Sequence, residues 1–401
     1  MSSVLTSRPK TAPAESESGV KLPVHQPVIV AMIDGLDPRY ATEQTMPALS
    51  QFAAKGTSTI VDGVSPSVTN ANNAGISCAS WPSEHGITGN YFFDPSTGEQ
   101  DYMESSRMLL RPTLMTRIVD AGGKAALLTA KKKTVSLLGD RTTLAIAAED
   151  PPREIVDRYG AAPEIYSAEI NHWLWSVAAD LLRTRSDLDL IYVHTTDFPM
   201  HAWPPGDPRS DRHLTKLDEL IGDAVDAAPD AALFVTADHG MNDKTLVYDL
   251  NQALRSRGTP VRLALSAEKD KYVRHHRTFG GTAWVWLNHL GDIDTVASAL
   301  RSLPGVESVI DRDTAAAEHH LHPDRIGDLM VLGDMWTVFG DLAAGVECEV
   351  LPEGYRTHGS LYETRVPLIA YNNESLPYSR PPRHNKDLLQ PVLQHWLTES
   401  S

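Results

Sequence analysis

Five runs of apolar, largely β-branched residues recur along the chain, each stopping abruptly at polar residues: PVIVAMIDG (27–35), KAALLTAKKK (124–133), LDLIYVHTTD (188–197), ALFVTADHG (232–240) and VPLIAYN (366–372). Continuous apolar runs suit strands buried on both faces of a largely parallel sheet. Helix-like stretches at 45–54, 111–121, 165–183 and 209–227 alternate with them. The order predicts an α/β fold, a doubly wound, mostly parallel sheet with helices on both faces. From about 243 to 345 the rhythm changes: KYVRHHRTFGGTAWVWLNH and GDLMVLGDMWTVFG read as strands, and 294–302 as a helix. This predicts an inserted α+β cap domain over 243–345, with the core made of 25–242 and 346–401. The polar, Pro/Ser-rich residues 1–24 read as a flexible tail.

Composition narrows the partners. A chain of 401 residues, 41% hydrophobic, can bury one large core or a core plus a smaller inserted domain. Its 52 acidic against 36 basic residues give a formal charge of -16, which argues against nucleic-acid or anionic-membrane partners. An anionic substrate then needs a local positive site. Cys78 and Cys348 lie far apart and in no C-x-x-C pattern, so neither a disulfide framework nor a thiolate metal site is indicated. A reducing, cytoplasmic setting fits, and no run approaches the roughly 18 apolar residues of a membrane span. A homodimer is compatible with all of this.

In open α/β sheets ligands bind outside the carboxyl ends of the strands, so the polar residues closing the apolar runs draw attention. They are Asp34, Asp197, Asp238 and His239. Zn²⁺ accepts imidazole nitrogen and carboxylate oxygen, and an Asp/His cluster without Cys suits it. Asp197 and His201 in DFPMH stand four apart, a spacing that puts both side chains on one side of a helical turn. Prolines 199, 204 and 205 keep that turn short. Asp238 and His239 close another strand before Gly240, and His358 precedes the last core strand by a few residues. His275, His276, His319, His320 and His322 lie in the predicted cap in polar company and read as solvated or cap-packing residues. The stretch SPSVTNANNAGISC (65–78) reads as a helix start with Thr69 as its N-cap.

Taken together, MIDGLDP, SVTNANNAGI, EHGITGNYFFD, TTDFPMH, TADHGM and THGSLYETRVPL resemble the alkaline phosphatase superfamily, in its phosphodiesterase and nucleotide pyrophosphatase branch. The resemblance implies one zinc held by Asp197, His201 and His358, and a second held by Asp34, Asp238, His239 and the Thr69 hydroxyl. Mn²⁺ or Fe²⁺ is compatible with the same ligands. It further implies that Thr69 is the nucleophile, that a phosphothreonine forms and is hydrolysed by water, and that Asn90 binds a phosphoryl oxygen. CASWP at 78–82 lacks the C-x-P-x-R pattern of the sulfatase branch.

The run TAKKKTVSLLG (129–139) bears on the substrate. In an extended backbone Lys131 and Lys133 point the same way and Lys132 the other. Two ammonium groups beside a dinuclear site suit a phosphonate with a nearby carboxylate. TAK-x-K…LLG, SVTNANN, HGITGNYFFD and YVRHH resemble phosphonoacetate hydrolases, which implies that Lys131 and Lys133 engage the substrate carboxylate; an acidic residue is expected where Lys132 stands. The expected activity is hydrolysis of the C–P bond of phosphonoacetate. The alternatives are a phosphodiesterase or nucleotide pyrophosphatase using the same metals and Thr69, with a base slot from Trp and Tyr residues in 272–286, and a non-catalytic metal- or ligand-binding homologue.

Overall fold

The computed structural model describes residues 26–271 and 277–398. The tail at 1–24 and the whole YVRHH motif (272–276), with His275 and His276, lie outside the described residues.

Six strands of the main sheet come before the four-stranded sheet: Val28–Met32 (β1), Thr57–Asp62 (β2), Ala125–Thr129 (β3), Leu144–Ala147 (β4), Leu190–His194 (β5) and Ala232–Thr236 (β6). Strands Leu263–Ser266 (β7), Thr282–Trp286 (β8), Val306–Asp311 (β9) and Leu329–Gly333 (β10) follow, then Arg365–Tyr371 (β11). The main sheet runs β2-β11-β6-β1-β5-β3-β4. Its ladders from β6 through β4 are parallel, and only β11 runs antiparallel to both neighbours, β2 and β6. All five runs singled out by their apolar pattern are in this sheet. The doubly wound α/β expectation holds.

Residues of β1, β3, β5 and β6 are buried throughout because helices cover both faces. Among those helices are Thr69–Cys78 (α1), Lys132–Leu138 (α2), Glu169–Thr184 (α3) and Pro208–Ala227 (α4). Helix α3 buries Ile170, Leu174, Val177, Ala178 and Leu181, a stripe at helical spacing that faces the sheet and α4.

The second sheet runs β7-β8-β10-β9, all antiparallel. One face packs Ala283, Val285 and Val331 on Val296 and Leu300 of the helix Ile293–Arg301. The other sets Trp284, Trp286 and Met330 against Val64, Val68, Ala71 and Phe93. This second cluster anchors the start of α1. Trp284 and Trp286 are each 1% exposed, so neither supplies the aromatic slot considered for a nucleobase. The expected strand GDLMVLGDMWTVFG divides into β10 and Thr337–Phe339.

Candidate metal and phosphoryl site

The carboxyl ends of the four central parallel strands finish level. Thr129 pairs with His194, His194 with Met32, and Met32 with Thr236. Lys131, Asp34 and Asp238 each follow that row by two residues and Asp197 by three, so the sheet's register gathers them at one edge. Gly35 turns the chain with φ 74°, and a Cβ there would stand 3.1 Å from the Asp197 Cβ. Glycine meets both demands.

Each carboxylate on the inner side has one oxygen committed. Asp238 Oδ1 accepts the backbone N–H of Gly35 (3.1 Å) and of His239 (3.0 Å), and Asp34 Oδ2 faces His194 Nε2 at 3.2 Å. Asp34 Oδ1 and Asp238 Oδ2 are buried without a hydrogen-bond partner among the described residues. His239 Nε2 stands 3.6 Å from the first and 3.2 Å from the second, and Thr69 Oγ1 stands 3.3 Å from the same nitrogen. On the outer side Asp197 Oδ2 is 2.8 Å from His201 Nε2 and 3.7 Å from His358 Nε2.

The tautomers follow from the opposite ring nitrogens. His201, His239 and His358 point Nδ1 at the carbonyls of Arg356 (2.7 Å), Gly240 (3.0 Å) and Ser67 (2.9 Å). A carbonyl only accepts, so Nδ1 donates and each Nε2 turns a lone pair toward the carboxylates. Lone pairs facing carboxylate oxygens at such distances repel unless a cation sits between them. Ligands 2.0–2.2 Å from tetrahedral zinc stand about 3.4 Å apart, so the 3.2–3.7 Å spacings of His239 and His358 fit a divalent metal, whereas the 2.8 Å between His201 and Asp197 is shorter than that.

Two groups present one ligand atom per residue, all within 4.8 Å: Asp197, His201 and His358, and Asp34, Asp197 and His239. Asp197 thus reaches both groups, while Asp238 stays beside His239. Burial, and then Asp197 and Asp238, push the Asp34 carboxyl well above its usual range. Burial, with His239 and His201 beside it, holds the His358 imidazole well below its own.

Thr69 departs from its expected role as N-cap. Helix α1 begins at Thr69 and its cap is Val68, which makes no side-chain cap bond. The hydroxyl turns to His239 instead, leaving the first-turn amides of α1 suited to an anion. Asn90 is 2% exposed, its backbone tied to Ala267 O and Met103 N, its Nδ2 within 3.5 Å of Glu268 O.

The lysine run is not extended throughout. Lys131 keeps extended backbone angles (φ -112°, ψ 134°) and α2 begins at Lys132. Lys131 and Lys133 are nevertheless buried, while Lys132 is exposed and pairs with Asp150 at 2.6 Å. Lys131 Nζ lies 4.0 Å from Asp197 Oδ1. Burial opposes its charge, but Asp197, Asp34 and Asp270 outweigh burial and raise its pKa above the ordinary lysine value. Lys133 Nζ is hydrogen-bonded to Asp270 Oδ2.

Three residues at this edge escaped sequence reasoning: His194, Glu268 and Asp270. His194 carried a signal, a polar residue closing an apolar run; Glu268 and Asp270 sit in SAEKDK, which reads as a polar turn. Glu268 is 4% exposed with Oε1 3.8 Å from His358 Nε2, and burial lifts its carboxyl well above the usual range. His319, His320 and His322 belong to neither ligand group; His320 packs tilted against Trp81, ring centroids 4.2 Å apart.

The family model for type I phosphodiesterase / nucleotide pyrophosphatase matches residues 28–360. The chain belongs to that family. The match agrees with the resemblance to the alkaline phosphatase superfamily in its motifs. Among solved structures, this type I phosphodiesterase family member is similar to phosphonoacetate hydrolase from Sinorhizobium meliloti 1021, solved with phosphonoacetate. The two share 29% identity and a TM-score of 0.81 over 94% of this chain and 96% of that one. Human ectonucleotide pyrophosphatase / phosphodiesterase 5, at 18% identity and TM-score 0.65 over 93% and 95%, shares the fold. An uncharacterized pyrophosphatase/phosphodiesterase of Schizosaccharomyces pombe is 23% identical over 370 residues, 83% of this chain and 68% of that protein. Among the described residues no helix is long and apolar enough to cross a membrane.

Proposed function

We propose that this protein is a two-metal hydrolase that cleaves the C–P bond of phosphonoacetate to acetate and phosphate through a phosphothreonine at Thr69. The observation that carries this reading is a single juxtaposition. Thr69 Oγ1 meets His239 at the first turn of α1, while Lys131 and Lys133 lie buried at the same sheet edge. The likeness to phosphonoacetate hydrolase over nearly the whole chain supports it. Asp197, His201 and His358 would hold one zinc, and Asp34, Asp238, His239 and Thr69 the other. Bound there, zinc supplies Lewis acidity that favours an ionised hydroxyl and neutralises phosphoryl charge.

The chain's own groups divide the remaining work. The Thr69 oxygen attacks phosphorus as the C–P bond breaks, its electron pair passing to the methylene carbon of the departing acetate. Lys131 and Lys133 hold the carboxylate and stabilise the enolate, Lys133 sharing its charge with Asp270. The Asn90 amide donates to a phosphoryl oxygen as charge grows there. A proton from solvent completes acetate, and water cleaves the phosphothreonine to free phosphate and the Thr69 hydroxyl. Residues 243–345 are proposed as a cap on a core of 25–242 and 346–401, since β7–β10 enclose an apolar cluster of their own. We expect a cytoplasmic enzyme acting on small anionic substrates.

A second reading, a phosphodiesterase using the same metals and Thr69, is favoured by the family match. Phosphate release from phosphonoacetate, compared with p-nitrophenol release from bis-p-nitrophenyl phosphate, separates the two. We expect turnover of phosphonoacetate by the wild type, abolished in Thr69→Ala with zinc content largely kept. Wild-type-like turnover in that variant would sink the nucleophile assignment, and turnover of the diester alone would favour the second reading.

A further inference from the structure

Behind the candidate ligands lies a buried polar chain with no part in the chemistry above. His194 ends β5 with 0% exposure, between Thr129 on β3 and Asp34 after β1. Thr129 Oγ1 stands 3.1 Å from its Nδ1, and Asp34 Oδ2 stands 3.2 Å from its Nε2. A carboxylate that ligates a cation is ionised and only accepts, so in the metal-bound form Nε2 would carry the proton toward Asp34 and the Thr129 hydroxyl would donate to Nδ1. Asp34 Oδ1 then remains without a hydrogen bond among the described residues, facing His239 Nε2. The same imidazole touches the helix of Thr69. Asn73, one turn after Thr69 in α1, packs its amide beside the ring, Nδ2 3.2 Å from His194 Nε2; its Oδ1 accepts the Tyr192 hydroxyl at 2.9 Å, so Nδ2 is a donor and makes no hydrogen bond to an Nε2 that carries the proton.

We infer that His194 is a positioning residue for metal binding: it occupies one oxygen of Asp34 and leaves the other for the cation. This rests on the two-metal reading above. A donor behind a ligating carboxylate fixes its orientation and shields it from the cost of an unpaired buried oxygen, and removing such a partner typically weakens metal affinity 10–100-fold. The outer group of Asp197, His201 and His358 does not depend on this contact.

The test is zinc titration of metal-stripped protein against a competing chelator, with thermal melting of the stripped form as a measure of folding. Wild type should take up two equivalents. His194→Phe fills the space without a donor and should weaken one equivalent about 10–100-fold, leaving the other unchanged. His194→Gln restores a donor and should return that equivalent to within about threefold of wild type. Wild-type affinity at both equivalents in His194→Phe overturns the inference. So does equal loss in the Phe and Gln variants accompanied by a lowered melting temperature, the mark of a purely structural residue. If His194→Phe does not fold, Thr129→Val carries the test: it removes the hydroxyl that sets the tautomer and should weaken the same equivalent several-fold, unchanged affinity counting against the inference. Absence of any zinc uptake by the wild type overturns the metal reading and this role together, whereas two equivalents of wild-type affinity in His194→Phe overturn only the role.

Discussion

Lys131 and Lys133 are both buried ammonium groups at the sheet edge, yet their ties differ: Lys133 is hydrogen-bonded to Asp270, while Lys131 keeps 4.0 Å from Asp197. Lys131 is therefore the lysine more available to a substrate carboxylate. Replacing it in Lys131→Met should lower kcat/KM on phosphonoacetate about 10–100-fold, the worth of a charge-assisted hydrogen bond of 1.5–3 kcal/mol. Bis-p-nitrophenyl phosphate has no carboxylate and should change less than about threefold under the same principle. Equal losses on the two substrates would make Lys131 a support for Asp197 instead. At this scale the sequence exposes what ends an apolar run, which is why Asp34, Asp238 and His239 could be named without coordinates. It hides what arrives from afar. Asp270 meets Lys133 across 137 positions, and nothing in SAEKDK distinguishes it from a solvated turn. Thr69 was legible as a helix start, but that its hydroxyl serves His239 rather than the helix backbone depends on a partner 170 positions on.

Strands and turns decide whether those residues converge. The level ends of β3, β5, β1 and β6 bring Lys131, Asp197, Asp34 and Asp238 together only if the turn after Asp34 leaves room for Asp197. Gly35 provides that room, and Gly35→Ala should cost about 1–3 kcal/mol, combining a left-handed backbone penalty with a Cβ 3.1 Å from the Asp197 Cβ. Urea unfolding and zinc content measured together check this. Both the midpoint and the metal uptake should fall, whereas a lower midpoint with full uptake would mean that the turn relaxes away from Asp197. Interior strands were the legible elements because burial on both faces leaves an unbroken apolar run. The edge strands were not. In β2, TSTIVD, exposed and half-buried positions alternate apart from one buried valine, and in β4 only the last two of four residues are buried. A strand covered on one side needs fewer apolar residues, so its sequence merges with that of a loop.

Over the whole molecule, the alternation of apolar runs with helix-like stretches made the fold class readable, and the formal charge of -16 left anions to a local site. The response to acid follows from groups that composition cannot reveal, the histidines held neutral by burial. Burial, and then Arg325, lower the His85 pKa to about 3; burial, and then His172, lower that of His213 to about 3. In the unfolded chain both titrate near 6.5, as free imidazoles do. Above that value both are neutral in either state and their contribution to stability is fully present. As pH falls from about 6.5 toward 3, the unfolded chain takes up protons that the folded chain refuses, and stability is lost. At pH 5 the loss is about 2 kcal/mol for each histidine. Buried carboxyls with raised pKa, Asp34 and Glu268, act with the opposite sign, so the total slope cannot isolate the histidines. A difference between variants can. With metal chelated, the drop in urea-unfolding free energy between pH 7.5 and pH 5 should be about 2 kcal/mol smaller in His213→Phe than in wild type. An equal drop in both proteins would mean that the folded chain already protonates His213, and that α3 and α4 open there enough to admit the charge.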